Sequence, residues 1–100
     1  MEEIKFEKIE DGCIVYATGE IDLSNSQQLR KTILAALKTN PKVYVDLSDV
    51  KYIDSSGIAS LVEGLQFSKT NHKAFILSNP SQQVTAIMNL ARLDQVFTIQ

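Results

Sequence analysis

Val50-Lys51-Tyr52-Ile53-Asp54-Ser55-Ser56-Gly57-Ile58 is the stretch on which the reading of this fold turns. Before it, Val43-Tyr44-Val45-Asp46-Leu47 alternates apolar and polar residues at the period of a strand. After it, Ile58, Leu61, Val62 and Leu65 recur at helical spacing. Two hydroxyls, a carboxylate and a glycine therefore sit where a strand hands over to a helix N-terminus. The first N–H groups of a helix lack intrahelical partners, and the helix dipole is positive there. A phosphoryl group on a serine at such a place is well tolerated, which makes the segment a candidate regulatory switch.

Working outward from that junction, the sequence predicts β-β-α-β-α-β-α-(β). Ile4 to Ile9 alternates as a strand, Asp11-Gly12 is a tight-turn dipeptide, and Cys13 to Thr18 is a second strand, so the chain opens with a hairpin. Gly19-Glu20-Ile21-Asp22-Leu23 is read as a loop. Ser24 with Gln27 fits a capping box for a helix whose stripe is Leu29, Ile33, Ala36 and Leu37. Asn40-Pro41 stops that helix, and Lys42 to Leu47 is the third strand. The second helix runs to about Thr70, with Asn71 as a left-handed cap. Ala74-Phe75-Ile76-Leu77 is a short buried strand. Asn79 and Pro80 start a third helix with Val84, Ile87, Met88 and Ala91 on its stripe. Val96 to Ile99 is a terminal edge strand. The expected fold is one α/β domain over residues 1–100: a small mixed sheet of four to five strands with an N-terminal hairpin and helices mainly on one face.

Composition removes several function classes. The 100 residues carry a net charge of −2 with a pI near 5.3, so no basic surplus attracts nucleic acid. Apolar runs such as Ile33-Leu34-Ala35-Ala36-Leu37 are too short to span a bilayer, and the N-terminus has no signal pattern. The single cysteine, Cys13, excludes an internal disulfide. A cytosolic protein that is a monomer when free is the expectation. No cofactor is implied.

The run Asp54-Ser55-Ser56-Gly57 has an ordinary explanation too, since Asp and Ser are favoured N-caps. One cap suffices, yet three capping-type residues occur together. Catalysis fits poorly. A nucleophilic serine needs a base, and the one histidine, His72, lies about 20 Å away along the predicted helix. No G-x-S-x-G elbow and no G-x-x-x-x-G-K-[ST] loop exists. Cys13, Met88 and Phe97 read as core or edge residues and Thr18 as a strand-end residue. The glutamates and aspartates near the N-terminus read as a solvated face.

Two segments resemble a known family. Thr18-Gly19-Glu20-Ile21-Asp22 is similar to the G-E-[LIV]-D loop of STAS domains of the bacterial anti-sigma factor antagonist type. Val45-Asp46-Leu47-Ser48-Asp49-Val50-Lys51-Tyr52-Ile53-Asp54-Ser55-Ser56-Gly57-Ile58 resembles that family's D-L-x-x-[LV]-x-[FY]-[IM]-D-S-[ST]-G-[LIV] signature. The resemblance implies a partner switch that catalyses nothing. In it, Ser55 is the phosphorylated serine and Ser56 a possible second site. Glu20, Asp22, Asp54, Ser55, Ser56 and Gly57 face the partner. The implied partners are an anti-sigma factor serine kinase with a GHKL-type ATP site and a PP2C-type phosphatase. Unphosphorylated protein binds the kinase and frees a sigma factor; phosphorylated protein lets go. The alternative within the family is a small cytosolic subunit of a membrane transport complex. Ala91-Arg92-Leu93-Asp94 lacks a glycine that the family often carries there.

Overall fold

The computed structural model describes residues 4–100. Its elements, in order, are β1 (Lys5–Ile9), β2 (Gly12–Ile21), α1 (Ser26–Thr39), β3 (Lys42–Ile53), α2 (Ser55–Thr70), β4 (Ala74–Ser78), α3 (Gln82–Leu90), a 3-10 turn (Leu93–Gln95) and β5 (Thr98–Ile99). The five strands form one sheet in the order β1-β2-β3-β4-β5. β1 is antiparallel to β2, and every other pairing is parallel. Each parallel crossover steps in the same direction across the sheet. Right-handed connections therefore put α1, α2 and α3 on one face.

Strand alternation explains the two faces. Cys13, Val15 and Ala17 of β2 and Val43, Val45 and Leu47 of β3 are buried. They form a core with Leu29, Ile33 and Leu37 of α1, Leu61 of α2, and Val84 and Met88 of α3. A fully buried Leu or Ile contributes roughly 1.5–3 kcal/mol. The residues between them, Ile14, Tyr16, Tyr44 and Asp46, point to the open face and are half-buried. Cys13 is a core residue, as its sequence context suggests, and burial raises the pKa of its thiol.

The two central strands are longer than the sequence predicts. β1 pairs β2 only from Gly12 to Tyr16, and β4 pairs β3 only from Lys42 to Asp46. Beyond those points β2 and β3 continue as a two-stranded ribbon to Ile21 and Ile53. Register shifts fall between Tyr16 and Thr18 and between Gly19 and Glu20, each inserting one extra residue into β3. The buried residues of this part of β3 are therefore Leu47, Val50 and Ile53, three apart rather than two. That spacing hides a strand from any search for alternation. Gly19 adopts a φ of 73° opposite the second irregularity, so Gly19-Glu20-Ile21 is strand, not loop.

Other boundaries also move. The hairpin turns on Glu10 and Asp11, and Gly12 is already paired with Ile9. Its missing side chain serves packing instead, because a Cβ there would lie 2.1 Å from the Lys42 carbonyl oxygen. Helix α1 starts one residue later than a Ser24 cap requires. Ser24 is engaged by Asp22, and Asn25 takes the N-cap position without a side-chain cap bond. At the end of α2 the left-handed residue is His72 (φ 57°), not Asn71. Asn79 is left-handed (φ 50°), so the N-cap of α3 passes to Ser81. Ala91 follows α3 as its C-cap and is exposed.

Candidate functional site

The end of the β2–β3 ribbon carries the site. Ile21 and Ile53 are paired, and the Asp54 N–H donates to the Ile21 carbonyl oxygen at 3.0 Å. Asp22 and Asp54 thus leave neighbouring strand ends. Asp54 caps α2: its Oδ1 accepts from the backbone N–H of Ser56 (2.9 Å) and of Gly57 (3.1 Å). The Ser56 hydroxyl donates to the same oxygen at 2.6 Å. These bonds, the Ser56 hydroxyl foremost and the Gly57 N–H next, hold the Asp54 carboxyl below its usual pKa.

The two serines are therefore not equivalent. Ser56 is half-buried and its hydroxyl is spent on the cap. Ser55 is the first residue of α2 and is exposed. Among the described residues nothing hydrogen-bonds its hydroxyl. A group added there meets solvent and the positive end of the α2 dipole. Gly57 is buried, and a Cβ on it would lie 2.6 Å from Ile53 Cγ1 and 2.7 Å from Ile21 Cγ2. The glycine lets the start of α2 sit on the strand ends and offers no surface of its own.

The acidic residues separate in the same way. Glu20 is exposed on β2 beside Tyr52 of β3. Asp22 does not reach the Ser55 hydroxyl. Its Oδ1 accepts from the Ser24 N–H at 2.9 Å and the Ser24 hydroxyl at 2.5 Å, and its own N–H donates to Asn25 Oδ1. Asp46 holds Ser48 identically, at 2.9 and 2.6 Å. Three Asp-x-Ser turns thus occur in this chain, at residues 22–24, 46–48 and 54–56, and each ties up its own serine. Only the third has a serine in the middle.

Two residues that the sequence did not single out flank the site. Leu23 is 81% exposed and Tyr52 is 48% exposed, at the ends of the same ribbon. Large apolar side chains left partly in water beside an exposed serine suit a protein contact. Their signal in the sequence was weak, because Tyr52 belongs to the family signature and Leu23 looks like an ordinary loop leucine. A polar hollow of about 530 Å³ runs over the ribbon, lined by Glu20, Asp22, Asn25 and Lys51 among others. Ser55 is not in its wall. His72 is exposed at the far end of α2, out of reach of either serine. Among the described residues no group of His, Cys, Asp and Glu is placed to hold a metal, and no helix is long and apolar enough to cross a membrane.

A mixed sheet with its helices on one face thus carries, at the end of its central strand pair, a capped helix start with one exposed serine. The STAS domain family model matches residues 3–100, and the chain belongs to that family. It is 26% identical over 93 residues to a Thermotoga maritima protein assigned as an anti-sigma factor antagonist, covering 91% of this chain and 82% of that one. A crystal structure of that kind of protein from Thermotoga maritima superposes with a TM-score of 0.86 at 24% identity, over 96% of this chain and 84% of that one. The Bacillus anti-sigma factor antagonist SpoIIAA superposes in its unphosphorylated form with a TM-score of 0.80 at 19% identity, over 98% and 88% of the two chains. Its phosphorylated form gives 0.75 at 18% identity, over 98% and 91%.

Proposed function

We propose that this chain is a non-catalytic partner-switching regulator of the anti-sigma factor antagonist type, with Ser55 as its phosphate acceptor. The carrying observation is the contrast within one turn: Ser56 is locked onto Asp54 while the Ser55 hydroxyl is exposed and unbonded. The relatives that bear this name, and a SpoIIAA structure in the phosphorylated form, support the reading. In it, the unphosphorylated protein binds a cytosolic serine kinase with a GHKL-type ATP site and so releases a sigma factor or an equivalent output. A PP2C-type phosphatase resets the switch.

The mechanism needs no refolding. A phosphoryl group adds about −1.5 to −2 charges at pH 7. It would join the Asp54 and Asp22 carboxylates at the strand ends, raising the cost of desolvating this surface in an interface. A loss of a few kcal/mol weakens binding by about a hundredfold or more. The N-terminus of α2 keeps the phosphorylated protein folded.

Phosphorylation by the cognate kinase, followed by intact-mass and peptide mass spectrometry, tests the assignment. One phosphate is expected on Ser55 and none on Ser55→Ala. Full phosphorylation of Ser55→Ala would move the site elsewhere. A Ser55→Glu variant that binds the kinase as tightly as wild type would rule out the charge mechanism.

A further inference from the structure

Among the described residues, the outer side of β1 has no partner strand. Lys5 through Lys8 are exposed along it. Phe6 is 66% exposed and faces the helix side of the sheet with its cross-strand neighbour Val15. It borders a hollow of about 440 Å³ shared with Ile4 and with Ala35, Ala36 and Thr39 of α1. An open edge carrying an exposed aromatic residue is a template for another strand, and the charges along β1 select which one.

We propose that the occupant is a second copy of this chain, the two β1 strands pairing antiparallel about a two-fold axis at Phe6. Directly opposed residues of an antiparallel pair share a face. A two-fold axis that continues the sheet keeps each face on its own side, so it must place one residue opposite itself. Centring on Lys5, Glu7 or Lys8 sets like charges against each other, and centring on Ile9 opposes Glu7 and Lys8 to the partner's turn residues Asp11 and Glu10, which offer no strand to pair. Both arrangements are unfavourable. Centring on Phe6 stacks the two phenyl rings and opposes Lys5 to the partner's Glu7 and Glu7 to the partner's Lys5. Of the five residues in β1, Phe6 alone gives a self-complementary register.

The backbone agrees. The two-residue loop closes on the Ile9–Gly12 pair. Alternation along the ladder from that pair turns the Phe6 N–H and C=O outward, where two copies exchange both bonds. Pairing would bring the two α1 helices to either side of the phenyl pair and cover the apolar hollow. The ribbon end with Ser55 lies beyond the reach of β1, so association leaves the switch surface free. On this proposal the chain is in a concentration-dependent monomer–dimer equilibrium, independently of what the switch regulates.

Sedimentation equilibrium of the whole chain from micromolar to near-millimolar concentration tests this, with circular dichroism to check folding. Wild type is expected to show a monomer–dimer equilibrium. Lys5→Glu alone and Glu7→Lys alone each place like charges across the axis and should weaken the dimer about tenfold. The double variant Lys5→Glu/Glu7→Lys restores both pairs and should return to the wild-type constant. An equimolar mixture of the two single variants should do the same by forming heterodimers. A wild-type chain that stays monomeric throughout overturns the proposal and leaves the edge to a strand of another protein. Dimerisation that is equal in all these samples places the interface elsewhere and overturns it too.

Discussion

The Ser56 hydroxyl donates to Asp54 Oδ1 at 2.6 Å, the same oxygen that caps the first turn of α2. One carboxylate thereby fixes a helix start, occupies one serine and leaves its neighbour exposed. The cap that a purely structural reading would invoke is present. It is also what makes the two serines chemically different.

Asp54 should give the domain an acid-sensitive component of stability. Its carboxyl is held below the usual pKa by the Ser56 hydroxyl and the Gly57 N–H. A depressed folded-state pKa contributes stability that is fully present above the unfolded value, about 3.9, and is lost as pH falls through the folded value. The gap in melting temperature between wild type and Asp54→Asn should be constant down to about pH 5 and shrink below about pH 4. A gap that stays constant throughout acidification would contradict this account.

Ser56→Ala and Ser55→Ala should part company in a thermal melt. The first removes a hydroxyl that bonds the cap; the second removes an exposed, unbonded one. We expect Ser56→Ala to lower the melting temperature by several degrees while keeping phosphate acceptance, and Ser55→Ala to leave it nearly unchanged. Equal losses would mean that Ser55 contributes to the cap.

Two glycines should resist alanine for different reasons. At Gly57 the added methyl meets Ile53 and Ile21 side chains at 2.6–2.7 Å. At Gly12 it meets the Lys42 carbonyl oxygen at 2.1 Å. Side chains can yield more easily than a backbone held in a ladder. Overpacking costs about 1–3 kcal/mol, offset at Gly57 by up to about 1 kcal/mol of helix propensity. Urea unfolding should rank Gly12→Ala as more destabilising than Gly57→Ala, with both below wild type.

Leu23→Ser and Tyr52→Ser should weaken the proposed kinase complex while leaving the melting temperature close to wild type. Leu23 lies mostly in water and Tyr52 about half in water in the free protein, so folding loses little at the first and only a partial contact at the second. A contact centred on the ribbon end would bury them, and an anchoring aromatic commonly costs more than about 1 kcal/mol when truncated. Titration calorimetry against the kinase reads the effect. Unchanged affinity in both variants would move the interface off the ribbon.

Much of the fold was legible because its signals were local. The stripe of Leu29, Ile33, Ala36 and Leu37 defined α1, and the run Asp54-Ser55-Ser56-Gly57 marked the start of α2, though only the structure gives the cap to Asp54. The ribbon was not legible, because each bulge in β3 moves the next buried residue three positions on, and Gly19 reads as loop chemistry. The cap of α3 slipped from Asn79 to Ser81 because Ser81 has two tasks: its hydroxyl accepts from the Val84 N–H and bonds the Val50 carbonyl oxygen, tying α3 to β3. That second bond spans 31 residues and has no local signature. At the site, the resemblance already ranked Ser55 above Ser56; geometry added the physical difference between their hydroxyls and turned Gly57 from a contact into a spacer.

The ribbon formed by the far halves of β2 and β3 projects past β1 and β4. Its exposed positions can change without disturbing the residues that hold the domain together. Duplicated copies of such a chain could therefore diverge in which partner they answer while keeping one scaffold, and crosstalk between parallel circuits would be set by a few side chains at the tip. Under the proposed partner switch, insulation between pathways would be a property of a projecting strand pair, adjustable one substitution at a time.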